Sequence, residues 1–358
     1  MFEFEHNTLA QRVLFGAGKS RSNLAAEVSR LDAQSVMVIA SDSEQELAAS
    51  ICGSIAPRLV YSDVAPHVPI EKAEKARAAA AEHDIDLLVS IGGGSTTGLA
   101  KAVALTTGIP IVAIPTTYAG SEATNVWGLT EASRKTTGVD ARVLPVTVIY
   151  DVLSLLTLPV DLSVASGLNA LAHAIDSMWA PRANPINATL ATESIDALAG
   201  GLRAIKKDSS SLAGHDQMLY GAYLSAVAFA SAGSGLHHKI CHVLGGAYNL
   251  PHAQTHAVVL QHVLAYNAPF APDAEARIAG ALGADNAVTG LAMLRTELNA
   301  PEALRDYGLQ EADLSAAAQL VLDVAPVSNP RPVTKGSLLE LLRNAWAGSQ
   351  TTPEGPTK

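Results

Sequence analysis

The stretch Asp86–Leu105, DLLVSIGGGSTTGLAKAVAL, runs from an apolar segment into three consecutive glycines and then into an alanine-rich segment with helical spacing. A strand that ends on such a turn and opens a helix is the repeating joint of an α/β sheet. The flanking sequence repeats the pattern. Ser35–Ala40 (SVMVIA), Ile109–Ile114 (IPIVAI) and Val146–Tyr150 (VTVIY) read as further strands, and Ile70–His83 and Gly94–Thr107 as helices. Strands alternating with helices predict a parallel sheet covered on both faces.

After Asp151 the texture changes. Leu162–Met178, Ala188–Ile205, Asp216–Ala232, His237–Leu244, Asp273–Leu282 and Ala287–Leu298 are Ala/Leu-rich with helical periodicity and almost no β-branched runs. The expected organisation is therefore an α/β domain over residues 1–159 and an all-α domain over residues 160–358. A chain of 358 residues is long enough for two domains, and with 48% hydrophobic against 16% charged residues it can fill a large core. The polar tail SQTTPEGPTK is expected to fray.

Charge and composition narrow the function. The net charge of −10 and the lack of a long Lys/Arg run disfavour a nucleic-acid partner. No apolar run is long enough to cross a bilayer, so no membrane association is expected. The opening residues MFEFEHNTLAQR carry acid where a signal peptide carries base, and Cys52 and Cys241 lie too far apart to suggest a disulfide framework. Cytoplasmic location is the default expectation.

The glycine turn suits a nicotinamide dinucleotide, NADH (or NADPH). Gly92, Gly93 and Gly94 let the backbone approach an anion, and Ser95 and Thr96 would add N-cap hydroxyls beside free helical N–H groups. It is not the G-x-G-x-x-G fingerprint, and a turn serving only chain reversal is the bland alternative. Thr116 and Thr117, in IPTTYAGSEAT after another strand, should emerge at the same carboxyl edge of the sheet, where open α/β sheets bind ligands. Asp42, just after the first of these strands, suits an adenosine ribose or is a solvated loop residue.

Gly235–His256, GLHHKICHVLGGAYNLPHAQTH, holds five of the 11 histidines in 22 residues. His238 and His242 stand one helical turn apart, and His252 follows ten residues later, an outline of metal ligands without a local carboxylate and with Lys239 among the imidazoles. Cys241 reads as a small packing residue. His67 and His215 read as solvated loop histidines.

Taken together, GGGSTTGLAKA, PTTYAGSE, GLNALAHAID and GLHHKICHVLGGAYNLPHA resemble the iron-containing (group III) alcohol dehydrogenase superfamily, and within it the maleylacetate reductases. The resemblance spans almost the whole chain, from FGAG near residue 15 to NPRPVT at Asn329–Thr334. It implies a dehydroquinate synthase-like plan, α/β dinucleotide-binding domain then helical domain, with the active site in the cleft between them, and a homodimer. Thr96 and Gly98 replace the proline and aspartate of the usual Gly-Gly-Gly-Ser-Pro-x-Asp turn. Thr116–Glu122 is one residue shorter than the usual threonine loop and carries Tyr118.

In metal-dependent relatives an Asp, a His four residues on and two further His hold the ion. Those positions fall here on Asn169, His173, His238 and His252. An amide oxygen lacks the charge of the carboxylate, and Lys239 repels a dication, so no bound metal is expected, although three imidazoles alone can hold zinc. The resemblance implies hydride transfer from NADH (or NADPH) to the double bond of maleylacetate, giving 3-oxoadipate. The site would then hold a small dicarboxylate, with Lys239 and His237 or His173 as counter-charges. His242 is the first candidate proton donor, with His252, His173 and His238 in the same catalytic cluster and Asn169 and Tyr118 on the substrate. Tyr118 suits packing equally well, and Arg331 suits a structural salt bridge better than a substrate carboxylate. A metal-dependent alcohol dehydrogenase and a dehydroquinate synthase-like lyase are the alternatives within the fold.

Overall fold

The computed structural model describes residues 3–131 and 134–349. They form two compact units, Leu9–Leu158 and the remainder from Pro159 on, which includes the N-terminal segment through Thr8. That segment, expected with the α/β domain, joins the helical unit, where the Ser231 hydroxyl meets His6 Nδ1 at 3.1 Å. The tail beyond Ser349 lies outside the described residues.

In the first unit the strands are β1 (Arg12–Phe15), β2 (Val36–Ile39), β3 (Leu59–Tyr61), β4 (Leu87–Gly92), β5 (Ile111–Pro115), β6 (Val126–Glu131), β7 (Arg134–Val139) and β8 (Thr147–Tyr150). Six of them make a sheet in the order β1-β8-β5-β4-β2-β3, and every pairing is parallel. β2, β4 and β5 are buried along their whole length, as strands covered on both faces must be, which is why their sequences are near-continuous apolar runs, interrupted only by Ser90 in β4. The helices α1 (Ser20–Arg30), α2 (Gln45–Cys52), α3 (Ile70–Glu82) and α4 (Gly94–Thr107) complete the layers. One apolar cluster joins β2 and β4 to α3 and α4, and another joins β2, β4, β5 and β8 to α1 and α2. From β2 the chain runs outward to β3 and then returns to β4 on the opposite side of β2. The ends of β2 and β4 therefore flank the crevice where the strand order reverses, the usual ligand position in such sheets.

The edge strands β1 and β3 and the antiparallel hairpin β6–β7 escaped the sequence reading. None of the three carries the apolar run of a central strand, because each is only partly buried.

The second unit contains α5 (Val160–Ser177), α6 (Pro185–Lys207), α7 (Leu212–Ala232), α8 (Leu236–Tyr248), α9 (His252–Asn267), α10 (Pro272–Leu282), α11 (Ala287–Leu298), α12 (Leu314–Leu322) and α13 (Lys335–Ala347). Six of these match the expected segments, while α9, α12 and α13 were not anticipated. Small residues let α5, α6 and α7 approach closely: a Cβ on Gly201 would lie 2.9 Å from the Gly214 carbonyl oxygen. A core of Leu236, Ile240 and Leu244 from α8, Val259 and Val263 from α9, and Leu338 and Leu342 from α13 holds the histidine-bearing helices. No helix among the described residues is long and apolar enough to cross a membrane.

Candidate active site

In the α/β unit the glycine turn forms at the carboxyl end of β4. Gly92 has φ +152°, and a Cβ there would stand 2.5 Å from Thr96 Oγ1, so no side chain is tolerated. A Cβ on Gly93 would press to 3.0 Å against Thr117 Cγ2, and one on Gly94 would touch Ala119 at 3.5 Å. The threonine loop thus lies directly on the turn, and the Thr116 N–H donates to the Gly92 carbonyl at 3.2 Å. Contrary to expectation, neither Ser95 nor Thr96 caps α4. Gly93 is the N-cap and has no side chain to bond the first helical N–H groups, and both hydroxyl residues already lie inside the first turn. Helix-start donors of this kind suit an anionic ligand.

Glu44 lies close by and was not singled out from sequence. Its carboxylate accepts from the Gly93 N–H and stands 3.4 Å from Thr116 Oγ1, and burial pushes its pKa up. A carboxyl group therefore already sits at this turn. Asp42 is exposed, at the start of a single 3-10 turn (Asp42–Glu44) after β2. Tyr118 is wholly buried. The departures at Thr96 and Gly98 have a packing cause: Thr96 fills the space that Gly92 leaves, and a Cβ at residue 98 would lie 2.8 Å from Val68 Cγ2.

In the helical unit the spacing of α5 puts Asn169, His173 and Asp176 on one face. The His173 and His238 rings stack at 4.7 Å, and Phe229 of α7 packs on both, at 4.8 and 4.3 Å. His237 and His256 lie 5.1 and 5.0 Å from His238 between ring centroids, His242 lies 6.1 Å from it, and His252 lies 4.3 Å from His256. Four of the predicted residues, Asn169, His173, His237 and His238, are buried. His242 and Lys239 are half-buried and His252 is exposed at the first turn of α9.

Asp176 and His256 belong to this cluster although neither was predicted. Asp176 Oδ2 takes the His238 Nδ1 proton at 2.8 Å, and its carboxylate also accepts the main-chain N–H of Gly235 at 2.9 Å, His237 at 3.4 Å and His238 at 3.5 Å. One carboxylate therefore caps α8 and orients the ring that α8 carries. Burial pushes Asp176 up to about 7 despite those donors. Above that pH it holds the proton of His238 on Nδ1, leaving Nε2, which has no protein partner, with its lone pair turned elsewhere. Gly235 is a consequence, since a Cβ there would lie 2.7 Å from Asp176 Cγ. The sequence signal was present: Asp176 stands three residues after His173 on the same helical face.

Burial lowers the imidazole pKa values, to about 4 for His173 and about 3 for His237, and well down for His238 and His256. Proposed counter-charges at His173 and His237 are thereby corrected: these rings are neutral near pH 7 and can offer hydrogen bonds or lone pairs, not positive charge. His215 is buried rather than solvated, with Nε2 3.0 Å from the Ser209 carbonyl, and His67 is half-buried. Arg331 stacks over Tyr266 at 4.4 Å, a cation–π contact in place of the expected salt bridge.

Two donor sets bear on metal binding. At the positions used by metal-dependent relatives stand an amide oxygen and imidazoles. Asn169 Oδ1 is buried without a partner, and the nearby carboxylate, Asp176, is engaged by α8 and His238. That set does not fit the carboxylate-containing iron site. Separately, His237, Cys241 and His256 bring ligand atoms within 4.8 Å of one another, with His237 Nε2 3.0 Å from His256 Nδ1. This buried trio could hold a metal ion, which counts against the expectation of a metal-free chain and gives Cys241 more than packing neighbours.

A glycine turn at a sheet edge in one unit and an imidazole cluster in the other are features of an oxidoreductase of the iron-containing alcohol dehydrogenase type. The chain belongs to that family: residues 10–152 match the iron-containing alcohol dehydrogenase model and residues 163–346 the family's C-terminal model. It is 45% identical to a maleylacetate reductase from Pseudomonas sp. (strain P51), over 98% of this chain and 99% of that protein. The crystal structure of an iron-containing alcohol dehydrogenase from Corynebacterium glutamicum is similar at 58% identity, TM-score 0.96, covering 98% of each chain. That of maleylacetate reductase from Rhizobium sp. strain MTP-10005 is similar at 39% identity, TM-score 0.91, covering 98% of this chain and all of that one.

Proposed function

We propose that this chain catalyses the NAD(P)H-dependent reduction of maleylacetate to 3-oxoadipate, in aromatic-compound breakdown. The observation that carries the reading is the 45% identity, over 98% of the chain, to a protein named maleylacetate reductase. The helical unit suits the chemistry. Hydride adds to a carbon–carbon double bond conjugated with a ketone, so negative charge gathers on an enolate oxygen and a proton must then reach carbon. Neutral buried imidazoles with an unpartnered nitrogen that can carry the proton, His173 and His237, can hydrogen-bond an enolate in a site shielded from water. His242, half-buried next to His238, remains the first candidate to deliver the proton. Lys239 would carry the counter-charge for a substrate carboxylate, a role that the neutral histidines cannot share.

The cofactor would lie on Gly92, Gly93, Gly94 and Ser95, with Thr116 and Thr117 against it and Asp42 at the adenosine ribose. Glu44 would have to yield its bond to the Gly93 N–H when a phosphate arrives. A homodimer, implied by the resemblance, and cytoplasmic location, the default for this composition, complete the proposal.

The competing reading is a metal-dependent alcohol dehydrogenase, favoured by the 58% identity to a protein of that name and by the His237–Cys241–His256 trio. Oxidation of NADH with maleylacetate, set against simple aldehydes and ketones and with and without chelator, separates the two. Rapid, chelator-resistant turnover of maleylacetate is expected. Chelator-sensitive reduction of aldehydes with none of maleylacetate would refute the proposal.

A further inference from the structure

Lys101 is the largest fully buried charged side chain among the described residues, and this chemistry does not use it. It points from α4 into the interior of the α/β unit, and the residue is 1% exposed. Its Nζ donates to the carbonyls of Ser121 at 2.5 Å, Thr124 at 2.8 Å and Val126 at 2.9 Å, and lies 3.1 Å from Thr124 Oγ1. Four oxygens from six consecutive residues converge on one nitrogen. Burying a cation is costly unless its donors are used, and here they are used on one loop. Burial draws Lys101 down to about 7, with Glu122 acting in the opposite sense. The converging carbonyl oxygens favour the charged form as well.

That loop has other ties. Gln11 Nε2 donates to the Glu122 and Pro145 carbonyls, each at 2.8 Å, and the Tyr150 hydroxyl donates to Glu122 Oε1 at 2.8 Å. Upstream, the same segment carries Thr116, Thr117 and Ala119, which press on Gly92, Gly93 and Gly94. The glycine turn is the N-terminus of α4, and Lys101 lies two turns along the same helix. One helix thus supplies the anion-facing N–H groups at its start and, through Lys101, a clamp on the loop that walls them.

We propose that Lys101 is a positioning residue for the nicotinamide dinucleotide: its ammonium gathers Ser121, Thr124 and Val126 as a structural cation would, and so holds the Thr116–Thr117 wall against the glycine turn. This inference rests on the assignment of that turn to the cofactor. Lys101 touches neither cofactor nor substrate in this role. Its loss should weaken cofactor binding and leave the chemistry in the helical unit intact.

The test is fluorescence titration of the full chain with NADH, alongside steady-state kinetics. Lys101→Met should raise the dissociation constant for NADH about tenfold or more, while kcat at saturating NADH and KM for maleylacetate stay within about twofold. Thr124→Val removes a single oxygen from the cluster and should raise the dissociation constant by a smaller factor in the same direction. It decides the matter if Lys101→Met does not fold. Wild-type affinity for NADH in Thr124→Val and in any folded Lys101→Met protein would overturn the role of Lys101 alone. A wild-type chain that binds no NADH or NADPH would overturn the cofactor assignment with it. A fall in kcat at unchanged NADH affinity would also refute the positioning role.

Discussion

Gly235→Ala is the sharpest probe of the histidine cluster, because the added methyl touches no predicted catalytic residue. It would stand 2.7 Å from Asp176 Cγ and 2.9 Å from Oδ2, where nonbonded carbon contacts settle near about 3.5 Å. The carboxylate must retreat by about 0.8 Å. Its 2.8 Å bond to His238 Nδ1 then stretches past about 3.5 Å and ceases to be a hydrogen bond. A buried hydrogen bond to a charged group contributes about 1.5–3 kcal/mol, so a drop in kcat of about 10–100-fold is expected once His238 loses its orientation and tautomer. The cap on α8 weakens as well, at a cost of about 1 kcal/mol, which a thermal melt would register as a shift of a few degrees. Asp176→Ala should show the same kinetic defect, and the double variant should be no worse than the poorer single one, since both act through one contact. Wild-type kcat in Gly235→Ala, or defects that multiply in the double variant, would refute the argument that Asp176 acts through His238.

Two further outcomes follow from the same cluster. His173 and His237 protonate near pH 4 and 3 when folded against an ordinary 6.5, and His238 and His256 are lowered too; apart from that cluster, on α9, the buried His262, near Arg295, is lowered to about 3. Between those limits the unfolded chain binds more protons, so stability falls on acidification. From pH 7 to 5.5 the three rings His173, His237 and His262 each cost about 1 kcal/mol, roughly 3–4 kcal/mol together, and His238 and His256 act in the same sense. Asp176, raised to about 7, and the raised Glu44 and Glu122 act in the opposite sense, because the folded chain holds their protons more tightly. The urea midpoint should therefore drop steadily over this range, and a flat or rising midpoint would contradict neutral burial of the rings. The second outcome concerns Asn169→Asp, which places a carboxylate where Asn169 Oδ1 has no partner. It should melt several degrees below wild type in chelator and recover on addition of zinc, with about one more equivalent of metal retained after dialysis. No gain in metal would show that position 169 does not govern binding.

How much was legible in the sequence depended on whether a residue's role is local. β2, β4 and β5 could be read because burial on both faces demands a near-continuous apolar run, and the glycine turn because only glycine tolerates the approach of Thr96 and Thr117. Asn169 and His173 were legible as a helical pair, since four residues make one turn. The histidine-rich stretch around α8 likewise announced a site. Its charge state was not legible, because a pKa is set by the packing around a ring and not by its neighbours in the chain.

The sequence by itself determined the alternation of strands and helices, the glycine turn, the density of imidazoles and the missing carboxylate at position 169. All of these are patterns of short range. Only the tertiary structure decided that Asp176 reaches across 62 residues to His238, that His256 joins His237 and Cys241, and that Lys101 ties the threonine loop from 20 to 25 residues away. Those pairings depend on how α5, α8 and α9, or α4 and its loop, pack together. The free energy that fixes them comes from burial spread over many residues, so no single stretch of sequence records it.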